Sequence, residues 1–233
     1  MNTNDNDNRS VPPVQLLIPL CETANDTGVS LAWLHAYCVV TIRPVGGALQ
    51  LNGRISLGQR YGENLELVRN LAAALNSGAV LAGHDLTDVI SKLARLSIDA
   101  NDAKPALSLL AMLKCMLCCH DPINLAIDID SQTQVAVQQL QLHPGMDQAT
   151  KNTIDAEWLE TGLGEVSVRP YRIASDLVER ARVCIGAIAE IYLAEEEKPV
   201  LRAAWEKWEH SIQPQIAALS VLHDIGGEPI TIV

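Results

Sequence analysis

The stretch "SGAVLAGHDLTDVISKLARLS", residues 77–97, joins the two patterns on which the fold assignment rests. Its first part, "SGAVLAG", is a short apolar run after a turn signal, which predicts a buried β-strand. From about residue 85 to 97 the apolar side chains recur at helical spacing on one face, which predicts an amphipathic helix. That face consists of Leu86, Val89, Ile90, Leu93 and Leu96. The stretch therefore predicts a strand that leads directly into a helix.

Three further strands are predicted upstream of this stretch. Residues 14–20, "VQLLIPL", form a continuous apolar run that suits a buried strand. The segments "AYCVVTIRP" and "GALQLNGRISL" are rich in β-formers and meet at Pro44–Gly47, which predicts a hairpin. A helix is predicted between these strands and the fourth, over "NLELVRNLAAAL". Strands that come first, with helices packed over them, imply an α/β layer fold.

The remainder of the chain is predicted to be mostly helical. A buried helix is expected over "PALSLLAMLKCMLCC", with Pro105 near its first turn. Residues 131–141 are weakly helical, 142–170 irregular, and 169–197 form a long amphipathic helix. The predicted organisation is a disordered tail over 1–13, a domain over 14–196, and an appended C-terminal helical extension over 197–233. That extension, with Pro214 as a candidate break and a β-like "PITIV" at its end, is expected to act as a packing or homo-oligomerisation arm.

Composition and charge limit the classes of partner. The formal net charge of −11 disfavours tight binding to a phosphate backbone, unless divalent cations supply positive charge locally. The apolar runs near the N-terminus are too short to span a bilayer, and the polar lead lacks the basic flank of a signal peptide. The six cysteines show no secreted disulfide framework. These features predict a cytoplasmic protein that does not associate with a membrane.

Three carboxylates stand where an α/β fold would bring them together. Glu22 follows the first predicted strand, Asp88 lies at the helix start after the fourth, and Asp176 lies near the start of the last core helix. Ligand sites form at the C-terminal edges of neighbouring strands in such sheets. Carboxylates at one edge can hold Mg²⁺ or Mn²⁺, and two such ions can clamp a phosphodiester and activate water.

This layout resembles the DnaQ-like 3′–5′ exonucleases of the DEDD superfamily, over roughly residues 14–194. The motifs that carry the resemblance are "LCE" at 20–22, "GHDLTD" at 83–88 and "YRIASD" at 171–176. The resemblance implies an RNase H-like mixed sheet, with early antiparallel strands plus a parallel strand. It implies that Glu22, Asp88 and Asp176 bind Mg²⁺ or Mn²⁺, and that Tyr171 orients the nucleophile at the ends of single-stranded DNA or RNA.

The sequence departs from the family pattern at two positions. Leu20 stands where the family's first motif has an Asp that contacts both metal ions, so one anionic ligand is missing. Tyr171 has the five-residue offset of the histidine subclass, but a phenol with a pKa near 10 is a poor general base at neutral pH. Two functions therefore stay open: a divergent exonuclease, or a catalytically inactive scaffold that binds protein or nucleic acid.

The same residues also have structural interpretations. Asp85 and Asp88 resemble a capping box, in which Asp85 is the N-cap and Asp88 faces the positive end of the helix dipole. Asp176 can serve the same dipole in its own helix. The thiols Cys115, Cys118 and Cys119 are expected to be buried in their helix, because no partner pair completes a zinc site. Trp205 and Trp208 are expected to be packing anchors or an interface patch.

Overall fold

The computed structural model of the chain describes residues 11–26, 29–45, 48–58, 64–96, 103–125, 170–218, 225–227 and 229–232. Five helices lie in these ranges: α1 (Asn64–Ala74), α2 (Leu86–Ala94), α3 (Lys104–Cys119), α4 (Pro170–Tyr192) and α5 (Glu197–Ala217). The strands are β1 (Val14–Asp26), β2 (Val29–Val45), β3 (Ala48–Leu57), β4 (Val80–His84), β5 (Ile123–Leu125), β6 (Ile225–Gly226) and β7 (Ile230–Ile232).

The strands form one mixed sheet with the order β5-β4-β1-β2-β3-β6, in which β7 also pairs with β3. The first three strands form an antiparallel meander. Parallel pairing joins β1 to β4 and β4 to β5, whereas β6 and β7 run antiparallel to β3. The prediction of an α/β fold with early antiparallel strands and a parallel strand is thus confirmed.

The first hairpin is longer than the sequence pattern predicts. β1 does not end near Leu20 but continues through Asp26, paired with β2 down to Asp26↔Val29. A register shift between Leu20 and Cys21 leaves one extra residue on β2 and marks the start of this two-stranded ribbon. Glu22 therefore lies within a strand, not in a turn after it. The polar residues after Leu20 favour a turn locally, but the ladder supplied by β2 overrides that preference.

Helices cover both faces of the sheet. α4 and α5 lie over one face and α1, α2 and α3 over the other, and these two groups are called here the α4/α5 layer and the α1–α3 layer. Alternation along β1 serves both layers, because Leu16 and Ile18 pack beneath α4 and α5 while Leu17 packs beneath the other three helices.

The C-terminal segment is built into this arrangement. α5 contacts β3, β6 and β7, and its inward side chains join the same core as α4. Trp208 is fully buried over Gly53 of β3, so close that a Cβ on that glycine would stand 2.3 Å from the indole. Both tryptophans are thus packing anchors within the chain. The predicted break at Pro214 is wrong, since α5 continues through it to Ala217. Homo-oligomerisation through this segment stays a prediction.

Two sets of sequence predictions lie outside the described residues. They concern residues 1–10 of the predicted tail and residues 126–169, which include the weak helix and the irregular region. Within the described part of the chain, no helix has the length and apolar character needed to cross a membrane.

Candidate functional site

The N-terminus of α2 is held in place by short-range polar contacts. Asp85 adopts a left-handed backbone conformation, with φ 45° and ψ 56°, and its side chain accepts a hydrogen bond from the Asp88 amide at 3.4 Å. The Leu86 amide donates to Oδ1 of Asn124, on the neighbouring strand β5, at 3.0 Å. Two of the amides that a helix start leaves without partners are therefore satisfied. The predicted N-cap role of Asp85 is confirmed.

A close approach of backbone and side chain sets the position of α2 on the sheet. A Cβ built on Gly83 would lie 2.7 Å from Cδ2 of Leu86 and 3.0 Å from the carbonyl oxygen of Leu17. Only glycine permits this distance between β4, β1 and the first turn of α2. Asp88, in that first turn, is consequently positioned by the close packing of α2 on β4 and β1.

Asp88 lies beside the end of the apolar part of β1. Its Oδ2 is 2.6 Å from Nζ of Lys92, one turn further along α2. Burial raises the pKa of the Cys21 thiol to about 12, with the Asp88 carboxylate adding to the rise and the Lys92 ammonium opposing it. The contacts between α2 and β1 agree with this electrostatic influence. The elements that carry two of the three sequence motifs are therefore neighbours in the fold.

Asp176 approaches the sheet from the opposite layer. It is exposed on α4 and pairs with Arg180, whose Nε lies 2.8 Å from Oδ2. Ile173, three residues earlier, packs against the same core cluster as Leu20. α4 also contacts β1 and β4, the strands in or after which the other two motifs lie.

The arginines near Asp176 are engaged with carboxylates. Arg182 donates through NH1 to Glu179 at 2.9 Å and through NH2 to Glu209 of α5. Burial raises the pKa of Glu179, as do Glu209 and Asp176, while Arg182 opposes the rise. Arg180 and Arg182 thus belong to an ion-paired flank of α4 and not to an open phosphate-binding patch.

The metal ligand set cannot be assembled from the side chains that the structure describes. Those of Glu22 and Tyr171 lie outside the described part, although the backbone of both residues lies within it. Among the residues that are described, no group of three His, Cys, Asp or Glu is arranged to hold a metal ion. Asp88 and Asp176 both stand in i,i+4 ion pairs at the surface, which are weak enough to rearrange around a divalent cation.

Two neighbours of the site were not anticipated from the sequence. Lys92 pairs with Asp88, and the i,i+4 spacing of the two on one helix was the signal that would have shown it. Asn124 holds the start of α2, but it belongs to a three-residue strand with little local pattern. Leu20 packs against the apolar core, where the resemblance would require a charged ligand.

The cysteine-rich end of α3 differs from its prediction. Cys115, Cys118 and Cys119 were expected to be buried, and all three are exposed free thiols. The buried face of α3 consists instead of Leu109, Leu113 and Met116. Helical periodicity turns the cysteines away from that face, because each lies at a different angle from the leucines around the helix axis.

Comparison of this chain with protein-family models, with curated proteins and with solved structures finds no match.

Proposed function

We propose that the chain has an RNase H-like fold and is a divergent relative of the DnaQ-like 3′–5′ exonucleases, acting on the ends of single-stranded nucleic acid. The observation that carries this proposal is the parallel pair β1 and β4, with β4 leading straight into α2. That connection puts Asp88 on a helix that contacts β1, and the Asp88 carboxylate contributes to the raised pKa of Cys21. The strand order β3-β2-β1-β4-β5, with β2 antiparallel to its neighbours, supports the fold assignment.

In this function, Glu22, Asp88 and Asp176 hold Mg²⁺ or Mn²⁺. The exposed carboxylates of Asp88 and Asp176 are the hard oxygen donors that such ions prefer, whereas Leu20 offers none. A divalent ion at this place would supply positive charge to a phosphodiester and lower the pKa of a bound water. Tyr171 would orient the attacking water through its hydroxyl, and Lys92 would contribute a further positive charge beside Asp88.

A second function is favoured by one specific observation. Leu20, at the place of the missing acid, is partly buried against the apolar core, and Lys92 already forms an ion pair with Asp88. Because the Lys92 ammonium balances the charge of Asp88, this carboxylate needs no metal ion beside it. In this alternative the domain keeps the exonuclease-like shape without hydrolysis and binds a protein or a nucleic acid as a scaffold.

Metal binding and digestion distinguish the two functions. Mn²⁺ binding is measured by calorimetry on the wild type, on the double variant Asp88→Ala/Asp176→Ala, and on Glu206→Ala as an exposed-acid control on α5. A 5′-labelled single-stranded oligonucleotide is digested in parallel. The exonuclease predicts Mn²⁺ binding and 3′-end laddering that the double variant loses and the control keeps. A wild type that shows no Mn²⁺ binding and no laddering would favour the scaffold function.

Restoring the missing acid tests the site directly. Leu20→Asp should tighten Mn²⁺ binding and increase laddering, because it adds an anionic oxygen where the resemblance requires one. Leu20→Asn, which has a similar shape and no charge, is the matched control for the loss of apolar packing. Equal behaviour of the two variants, with both folded by circular dichroism, would argue against a metal site at this position.

A further inference from the structure

The outer face of α3 carries three exposed thiols that packing does not explain. Cys115, Cys118 and Cys119 are free and exposed, while the core contacts of the helix are made by other residues. Free cysteine is among the most buried residue types in proteins, so three exposed thiols on one helix are unusual. The proposed nuclease or scaffold function uses none of the three. They are called here the α3 thiols.

Helical geometry sets the spacing of the α3 thiols. Cys118 and Cys119 follow Cys115 by three and four residues, so both lie on the same side of the helix as Cys115. Cβ atoms at these spacings are about 5–6 Å apart. A disulfide needs Cβ atoms about 3.5–4.5 Å apart, so neither helical pair is suited to one. A zinc–thiolate bond is about 2.3 Å long, so a metal ion held between two sulfurs by bonds of similar length spans about 4.6 Å, which suits this spacing.

The end of the helix is held in a regular conformation. The His120 amide donates to the Met116 carbonyl at 3.1 Å, so the helical hydrogen-bond pattern includes the turn that carries Cys118 and Cys119. Nε2 of the His120 ring lies 3.2 Å from the carbonyl oxygen of Gly78, so the ring is directed to the turn before β4. The thiols are therefore presented on a fixed scaffold, and the adjacent histidine ring is engaged elsewhere.

We propose that α3 carries a two-coordinate thiolate site for a soft monovalent cation, Cu(I). Cys115 is one ligand, and Cys118 or Cys119 is the other. Thiolate ligands select Cu(I) over hard cations such as Mg²⁺. The helical pairs offer two thiolates each, which is the ligand number of the proposed site. One Cu⁺ replaces two thiol protons, which are released to solvent, so the affinity should rise with pH.

The test uses the full-length reduced protein under anaerobic conditions. Cu(I) is titrated against a chromogenic Cu(I) chelator such as bicinchoninate, and native mass spectrometry gives the stoichiometry. We expect one Cu(I) per chain in the wild type and no competitive binding in Cys115→Ser, since Cys115 belongs to both helical pairs. Cys118→Ser and Cys119→Ser should each retain binding, because each leaves one pair. The double variant Cys118→Ser/Cys119→Ser should lose it.

Three results would overturn the proposal. They are a wild type that does not compete with the chelator, a Cys115→Ser variant that binds as the wild type does, and one ion shared between two chains. Serine at these exposed positions should leave the thermal midpoint unchanged, which separates loss of a ligand from loss of the fold. The readout is independent of Mn²⁺ binding and of nucleic-acid digestion, so this proposal and the exonuclease proposal can fail separately.

Discussion

The two helical layers are held on the sheet by different kinds of contact. In the α4/α5 layer the contact is steric complementarity, because the Trp208 indole lies directly on Gly53 of β3 and against Gly227. The α1–α3 layer relies more on polar contacts at helix ends. There the Gln15 side chain joins β1 to the C-terminal end of α1, and Asn124 caps α2. Shape complementarity dominates in the layer that the chain completes last, whereas hydrogen bonds act together with the close approach at Gly83 to position the helix that carries Asp88.

This difference bears on the candidate site. The position of Asp88 is set by three separate contacts at the start of its helix, through Asp85, Asn124 and Gly83. Asp176 is set by the packing of α4 on the core through Ile173 and its neighbours. Substitutions in one layer should therefore displace one acid without the other, so the layers can be tested separately.

The largest expected effect is the removal of Trp208. Trp208→Ala should lower the free energy of unfolding by about 3–5 kcal/mol, because it leaves a large cavity between α5 and the sheet. Trp208→Phe should cost less, since it retains a ring and the buried indole Nε1 has no hydrogen-bond partner within the described part of the chain. Urea denaturation of both variants measures the difference. If Trp208→Ala cost less than 1 kcal/mol, the α4/α5 layer would not be closed as described.

A glycine substitution tests the same contact from the sheet side. Gly53→Ala should cost about 1–3 kcal/mol, because the added methyl group would meet the Trp208 ring at 2.3 Å. Gly186→Ala, in the interior of α4 where nothing lies within 4 Å of the new Cβ, should instead stabilise by about 0.5–1 kcal/mol. Denaturation curves of the two variants should therefore shift in opposite directions.

A double-mutant cycle isolates the contact. Gly53→Ala should be much less costly in the Trp208→Ala background, because the ring that it strikes is gone. Strict additivity of the two substitutions would contradict the packing of Trp208 on Gly53.

The hydrogen bonds that the Gln15 side chain makes in the α1–α3 layer can be tested by substitution. Gln15 is 3% exposed, its Nε2 donates to Thr41 Oγ1 and to the Ala74 carbonyl, and its Oε1 accepts from the Asn76 amide at 2.7 Å. Gln15→Leu should cost about 1–3 kcal/mol, because backbone groups at the end of α1 lose their buried partner. Thr41→Val removes one contact only and should cost less. Hydrogen exchange at the Asn76 amide should accelerate in Gln15→Leu and stay slow in Thr41→Val.

The smallest expected effects concern two glutamates of α4. The pKa of Glu179 is raised by burial, so its favourable contribution is present below the ordinary value of 4.5 and is lost as pH rises through the folded value. Glu179→Gln should therefore stabilise at pH 7, by less than about 1 kcal/mol, although it breaks an ion pair. Below pH 4.5 that advantage should disappear.

Glu190 is the matched control on the same helix. Its hydrogen bond from Lys198 lowers its pKa, so its contribution is present above 4.5 and is lost as pH falls through the folded value. Glu190→Gln should destabilise slightly at pH 7 and should have no effect in acid. Thermal melts of both variants across pH measure the two opposite slopes, and slopes of the same sign would contradict the assignment of the Glu179 shift to burial.

Sequence patterns predicted the approximate positions of most strands and helices. The alternating and continuous apolar runs located the first four strands, and helical spacing located α1, α2, α3 and α4. The N-cap role of Asp85 was also predicted, since a cap is a contact across three residues. Of the candidate site, α2 contacts β1, whereas the ligand roles of Glu22, Asp88 and Asp176 and the orienting role of Tyr171 stay predictions.

What the sequence determined by itself is local, namely which residues can form strands and helices, where helices begin, and which face of each is apolar. The tertiary structure alone decided the continuation of β1 through Asp26 and the placement of α5 over β3. It also decided that Cys21 lies within the electrostatic influence of Asp88. The physical reason is the same in each case. The partner that stabilises the arrangement is distant in the chain, and neither propensity nor periodicity contains information about it.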